Sequence, residues 1–138
     1  GLILSPFDLQ LPFTHWPATA YLTTEKRRRP VHVFDALNQV GHEPSKVNFA
    51  IDHAYGVLIQ AVCFDAQGRK TRTLQVEEFS KVEDQWMLAA CSVLDETSRD
   101  ADLLRITEAA LDAQSAPRTF DPATLAQPAA RPAGFKKL

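Results

Sequence analysis

The sequence has no apolar run near the roughly 18 to 20 residues that a bilayer-crossing helix needs, so no membrane-spanning segment is expected. Its opening, GLILSPFDLQLPF, also has neither the basic start nor the small-residue cleavage site of a secretory signal. An excess of one charge is missing too. Fifteen basic and 17 acidic residues leave a net charge of -2, which offers no overall attraction for a polyanion, and nucleic acid is not an expected partner. Cysteine is scarce: Cys63 and Cys91 are too few and too widely spaced for a zinc ribbon or a CxxC redox pair. Glycine is scarce as well, with five in the chain, and there is no P-loop, no G-x-G-x-x-G, no G-x-S-x-G elbow and no HExxH. The histidines, His15, His32, His42 and His53, form no His-x-His pair, and adjacent strand residues such as Asp52 and His53 point to opposite faces. A solvated or structural role is expected for each histidine. No enzyme, cofactor or metal site is implied.

What is present is an ordinary globular composition. With 138 residues, 45% hydrophobic and 23% charged, the chain suits one domain with one core. Residues 1–18 interleave Pro6, Pro12 and Pro17 with Leu, Phe and Trp16, which predicts a covering segment with at most a helical turn. From Tyr21 onward the sequence breaks into short β-branched or aromatic runs: 21–23, 31–34, 47–52, 57–64, 71–79 and 86–94. The 65–68 break, Asp-Ala-Gln-Gly, predicts a hairpin whose Gly68 supplies a positive φ, and a second turn is predicted at 82–85. Successive runs joined by tight turns imply an antiparallel meander. Residues 99–114 carry Leu103, Leu104, Thr107, Ala110 and Leu111 at helical spacing, and periodicity alone predicts a helix there. Asp121-Pro122 can start a short helix, and the chain ends in a Pro- and Ala-rich stretch.

Two successive motifs carry a family resemblance. Phe64-Asp65-Ala66-Gln67-Gly68-Arg69-Lys70-Thr71 ends a strand in a D-x-x-G turn, and Lys81-Val82-Glu83-Asp84-Gln85-Trp86 follows at the matching distance. Looser matches are Tyr21 to Glu25 with Arg29 to Val33, then Asn48 to Asp52, then Phe120-Asp121-Pro122. Together these resemble the outer membrane lipoprotein-sorting (LolA/LolB-like) family, from about Leu4 to Leu125. The likeness corresponds to the later part of a family domain, without its leading helix and first strands. Family glycines around the first hairpin are replaced here by Arg27-Arg28-Arg29.

The resemblance implies a mainly β (α+β) fold, a curved antiparallel half-barrel of six to seven strands with short helical segments. It makes 102–111 a strand, and that reading is adopted over the helical spacing, since tertiary context overrides propensity. The expected organisation is a single LolA-like domain over residues 1–125 and a flexible Pro/Ala-rich tail over 126–138. The implied function is a periplasmic lipid or lipoprotein carrier that shelters acyl chains on an apolar concave face, without catalysis. The alternative is a protein-interaction or assembly module using the same sheet. If the missing strands leave that face uncovered, a homodimer that buries it is expected.

Pairing strands around the two turns predicts which residues form the face. A first hairpin centred near Gln67 sets Leu58 against Val76, Gln60 against Leu74, Val62 against Arg72 and Phe64 against Lys70. A second turn between Glu83 and Asp84 sets Val76 against Cys91 and Leu74 against Val93. Leu58, Val62, Leu74, Val76, Cys91 and Val93 then share one side as the ligand-binding set, with closed core packing as the alternative for each. The same pairing puts a whole strand between Cys63 and Cys91, about two inter-strand spacings of 4.8 Å, beyond disulfide reach, so two free thiols are expected. Lys26 to Arg29 is the one dense charge cluster, read as a solvated hairpin tip rather than an anion site.

Overall fold

Short β-branched runs separated by turn residues produce the expected meander. The computed structural model describes residues 1–27, 29–111 and 134–138. Seven strands, β1 Ala18–Arg27, β2 Arg29–Leu37, β3 Lys46–Asp52, β4 Leu58–Phe64, β5 Lys70–Val82, β6 Gln85–Asp95 and β7 Ala101–Arg105, form one antiparallel sheet. Their spatial order is their chain order, and β1 and β7 are the two edges, so the sheet is an open half-barrel. A separate two-stranded ladder pairs β8 Glu108–Ala109 with β9 Lys136–Lys137.

Aspartates build three of the turns. Asp65 Oδ1 accepts the backbone N–H groups of Gln67 and Arg69, each at 2.9 Å, and Gly68 takes φ +77°. Asp52 Oδ1 accepts from Ala54 and Tyr55, and Asp95 Oδ1 from Thr97 and Ser98. Each strand-ending carboxylate thus satisfies donors that no ladder partner reaches. Glu83-Asp84 is a two-residue turn closed by the Val82–Gln85 pair, with Glu83 at φ +54°.

Residues 101–105 are a strand, β7, and the helix that periodicity suggests does not form there. A strand at this place extends the ladder from β6, where Cys91 pairs Leu104 and Val93 pairs Asp102. Its alternating exposure leaves Leu103 60% exposed. At the chain end, Lys136–Lys137 is paired with Glu108–Ala109, and residues 126–133 of the expected tail lie outside the described residues. The Asp121-Pro122 and Phe120-Asp121-Pro122 readings fall outside the described residues.

The proline-rich start is a cover. Pro6 opens the five-residue helix α1, Pro6–Gln10, and Leu11 in the left-handed region ends it before a 3-10 turn, Pro12–His15. Ile3, Leu4, Phe7, Leu11, Phe13 and Trp16 pack onto one sheet face against Ala36, Val47, Phe49, Ala61, Cys63, Leu74 and Val93. Phe13 is the plug, 1% exposed, with its ring centroid 5.3 Å from Phe49.

Polar contacts fix this cover in place. Arg72 on β5 donates through Nη1 to Asp8 Oδ2 and Ser5 Oγ, both at 2.9 Å, and through Nη2 to the Ile3 carbonyl. Asp102 on β7 accepts the N–H groups of Ile3 and Leu4. Asp8 is 5% exposed, so the Arg72 ion pair is what makes its burial tolerable.

Candidate functional site

Strand register decides which side chains share a face. In the second hairpin the expected register holds, with Leu74 opposite Val93 and Val76 opposite Cys91. In the first hairpin Phe64 pairs Lys70 as expected, but a bulge between Cys63 and Phe64 shifts everything beyond it by one. Val62 therefore faces Thr73 rather than Arg72, and Gln60 faces Gln75 rather than Leu74. Because side chains alternate, that one-residue slip moves Val62 to the opposite face from Leu74. Leu58, Leu74, Val76, Cys91 and Val93 do lie together, and Leu58, Leu74, Val76 and Val93 pack under the N-terminal cover.

Both thiols are free, as the strand count implies, and both are buried. Cys63 pairs Arg72, one residue on from Thr71, through the same bulge. Burial and the nearby Asp8 charge push its thiol up to about 12 despite the opposing Arg72 charge. Burial, with Asp8 and Glu77, pushes Cys91 up as well. Neither thiol supplies a nucleophile at neutral pH.

The opposite face holds an open cavity. Val31, Val33 and Ala50 form a small buried cluster on this side, and Ile59, packed against it, also lines the cavity. Beyond them Gln60 donates through Nε2 to Gln75 Oε1 at 3.1 Å, and Gln75 Nε2 in turn reaches the carbonyls of Ile59 and Val76. A cavity of about 520 Å³ is lined by Arg29, Ile59, Gln60, Gln75, Val76, Glu77 and Phe79. Arg29 stands on β2 and Gln75 on β5, strands that a flat sheet would hold about 14 Å apart. A common cavity across that span reflects curvature toward this face.

Next to it a space of about 580 Å³ is lined by Arg29, Tyr55, Val57, Glu77, Glu78, Phe79 and Trp86. Tyr55 and Trp86 are 67% and 64% exposed, so two amphipathic rings stand at its rim. Arg29 is the cation in both spaces, and its Nη1 lies 3.3 Å from Asp52 Oδ2. Burial raises the Asp52 carboxyl, yet the N–H groups of Tyr55 and Ala54 and the Arg29 guanidinium outweigh it and hold the group below the usual carboxylate range. The chemistry on offer is apolar wall, amide and paired charge.

Sequence reasoning missed this cavity. The residues of these two adjoining spaces come from β2, β4, β5, β6 and the 53–57 turn, and no local pattern links them. It also passed over His32 and His53, which meet: His53 Nδ1 lies 2.6 Å from His32 Nε2. The signal was available only through the β2–β3 register, in which His32 pairs Ile51, two residues before His53. Among the described residues no helix is long and apolar enough to cross a membrane.

No family model matches the sequence, and no curated protein matches it. Solved structures do match in shape. A LolA superfamily protein from Nitrosomonas europaea superposes with a TM-score of 0.59 at 17% identity, over 67% of this chain and 44% of its own. An outer membrane lipoprotein-sorting protein domain from Vibrio parahaemolyticus gives 0.54 at 16% identity, over 62% of this chain and 41% of its own. A DUF1329 family protein from Desulfovibrio piger gives 0.63 at 13% identity, over 78% of this chain and 46% of its own. The chain thus spans less than half the length of each structure it matches. Its open antiparallel sheet has the LolA-like half-barrel fold, the fold of the lipoprotein-sorting domains it resembles.

Proposed function

We propose that the chain is a periplasmic, non-enzymatic lipid- or lipoprotein-binding domain that shelters acyl chains, related to outer-membrane lipoprotein sorting. The observation that carries this is the pair of adjoining open spaces on the curved face of a LolA-like sheet. They are walled by Ile59, Val57 and Phe79 and rimmed by Tyr55 and Trp86. Their volumes fall in the range of ordinary ligand sites. An acyl chain needs only contiguous apolar surface, at about 25 cal/mol per Å² buried. Leu58, Leu74, Val76, Cys91 and Val93 form a second apolar surface that accepts ligand only when the N-terminal cover lifts.

A second reading, a protein-interaction or assembly module and in its simplest form a homodimer, is favoured by the edges. Leu22 on β1 and Leu103 on β7 are 50% and 60% exposed on strands with one free side in the sheet. Native mass spectrometry before and after organic extraction separates the two. Acyl species that disappear on extraction, and that fail to rebind to Phe79→Asp, support the carrier. A ligand-free dimer that refuses added phospholipid sinks it in favour of assembly.

A further inference from the structure

We infer that His32 and His53 form a two-imidazole site for a late first-row divalent cation such as Zn²⁺, on the sheet face opposite the open cavity. His32 lies on β2, in the same alternation as Phe34 and Ala36, and His53 follows the end of β3. His53 Nδ1 and His32 Nε2 face each other at 2.6 Å, with ring centroids 4.6 Å apart. Two nitrogens bound tetrahedrally to zinc at about 2.0–2.1 Å stand about 3.3 Å apart, so an outward swing of less than about an ångström makes room for the ion. His53 is exposed and can make that swing.

The ring of His32 is held in place. Its Nδ1 lies 3.1 Å from Thr24 Oγ1, which lies 2.8 Å from the Tyr21 hydroxyl, and the Tyr21 ring meets the His32 ring edge-on at 5.9 Å. With a proton on Nδ1 donated to Thr24, Nε2 presents a lone pair toward His53. This is the outer-shell arrangement that fixes the tautomer of a metal-bound histidine. Without metal, one proton sits between the two rings. Metal binding moves it to His32 Nδ1 or His53 Nε2, so the neutral pair loses no proton overall. Acid competes instead, because each imidazole must be neutral to bind.

Among the described residues no group of three or more His, Cys, Asp or Glu converges, so these two imidazoles are the described ligands and water takes the remaining positions. Such a site is open and exchangeable. Nitrogen donors suit Zn²⁺ and Cu²⁺ and disfavour Ca²⁺ or Mg²⁺.

The test is calorimetric titration of ZnCl₂ into the purified chain at pH 7.5, with His53→Ala, Thr24→Val and a His15→Ala/His42→Ala control. One saturable Zn²⁺ per chain is expected, weakened more than about tenfold in His53→Ala and about tenfold in Thr24→Val, unchanged in the control, and weakened at pH 5.5. Absence of saturable binding, or binding that survives His53→Ala or fails in the control, overturns the site. His53 is exposed, so its alanine variant retains the fold, and thermal melting without metal verifies that.

Discussion

Replacing Arg72 with Met removes the cation that clamps the N-terminal cover while keeping a side chain of similar length. Asp8 Oδ2 then retains only the Ser5 N–H and hydroxyl, at 2.8 and 2.7 Å, and the Ile3 carbonyl loses its donor. Breaking a fully buried ion pair from one side costs about 3–5 kcal/mol. The Arg72 side chain is 24% exposed, so water screens part of the interaction, and the expected loss is about 2–3 kcal/mol. For 138 residues each kcal/mol lowers Tm by about 3–5 °C, which gives a drop of about 6–15 °C at pH 7. Thermal melting followed by circular dichroism measures it. Asp8→Asn in the Arg72→Met background should recover part of the loss, because the stranded charge is gone, with a coupling of about 1–3 kcal/mol. A drop under about 2 °C, or strictly additive single changes, would refute the clamp and leave Phe13 and its apolar neighbours as the sole hold on the cover.

Asp65 and Asp95 are held below the usual carboxylate range, Asp65 chiefly by the Arg69 N–H and Asp95 chiefly by the N–H groups of Ser98 and Thr97. Asp52 is lowered too, so all three stabilise the fold above the unfolded value near 3.9 and lose that contribution as pH falls through their lower folded values. Melting temperature should therefore fall on acidification below about pH 4, and Asp65→Asn should blunt that fall. Cys63 and Cys91 should resist a thiol reagent at pH 8 in the folded chain and react together in denaturant; prompt labelling of the native protein would contradict their burial. Phe13→Ala should cost about 3–5 kcal/mol by urea unfolding, since it empties the centre of the cover. Gly68→Ala forces an alanine to φ +77° and should cost about 1 kcal/mol or more by the same assay, although nothing lies within 4 Å of the added carbon.

Turns and strand alternation depend on neighbours in the chain, which is why they were legible. Asp65 and Gly68 announce one hairpin, and the break at 82–85 announces the other, with a register that set Leu74 and Val76 against Val93 and Cys91 correctly. The helical spacing around Leu103 and Leu104, rightly set aside for a strand, gives way because these residues answer to an open ladder edge on β6, which local periodicity cannot see. Bulges are equally invisible: a single extra residue at the Cys63–Phe64 step placed Val62 on the other face.

The sequence by itself determined the meander, its main turns, the covering role of residues 1–18 and the separation of the two thiols, because each follows from local geometry. Tertiary structure alone decided that Arg72 would meet Asp8 across 64 positions, that His32 would meet His53 across 21, and that curvature would bring Arg29 over the cavity it shares with Gln75. Those contacts depend on how strands register, pack and bend together, a property of the sheet that no window of sequence contains.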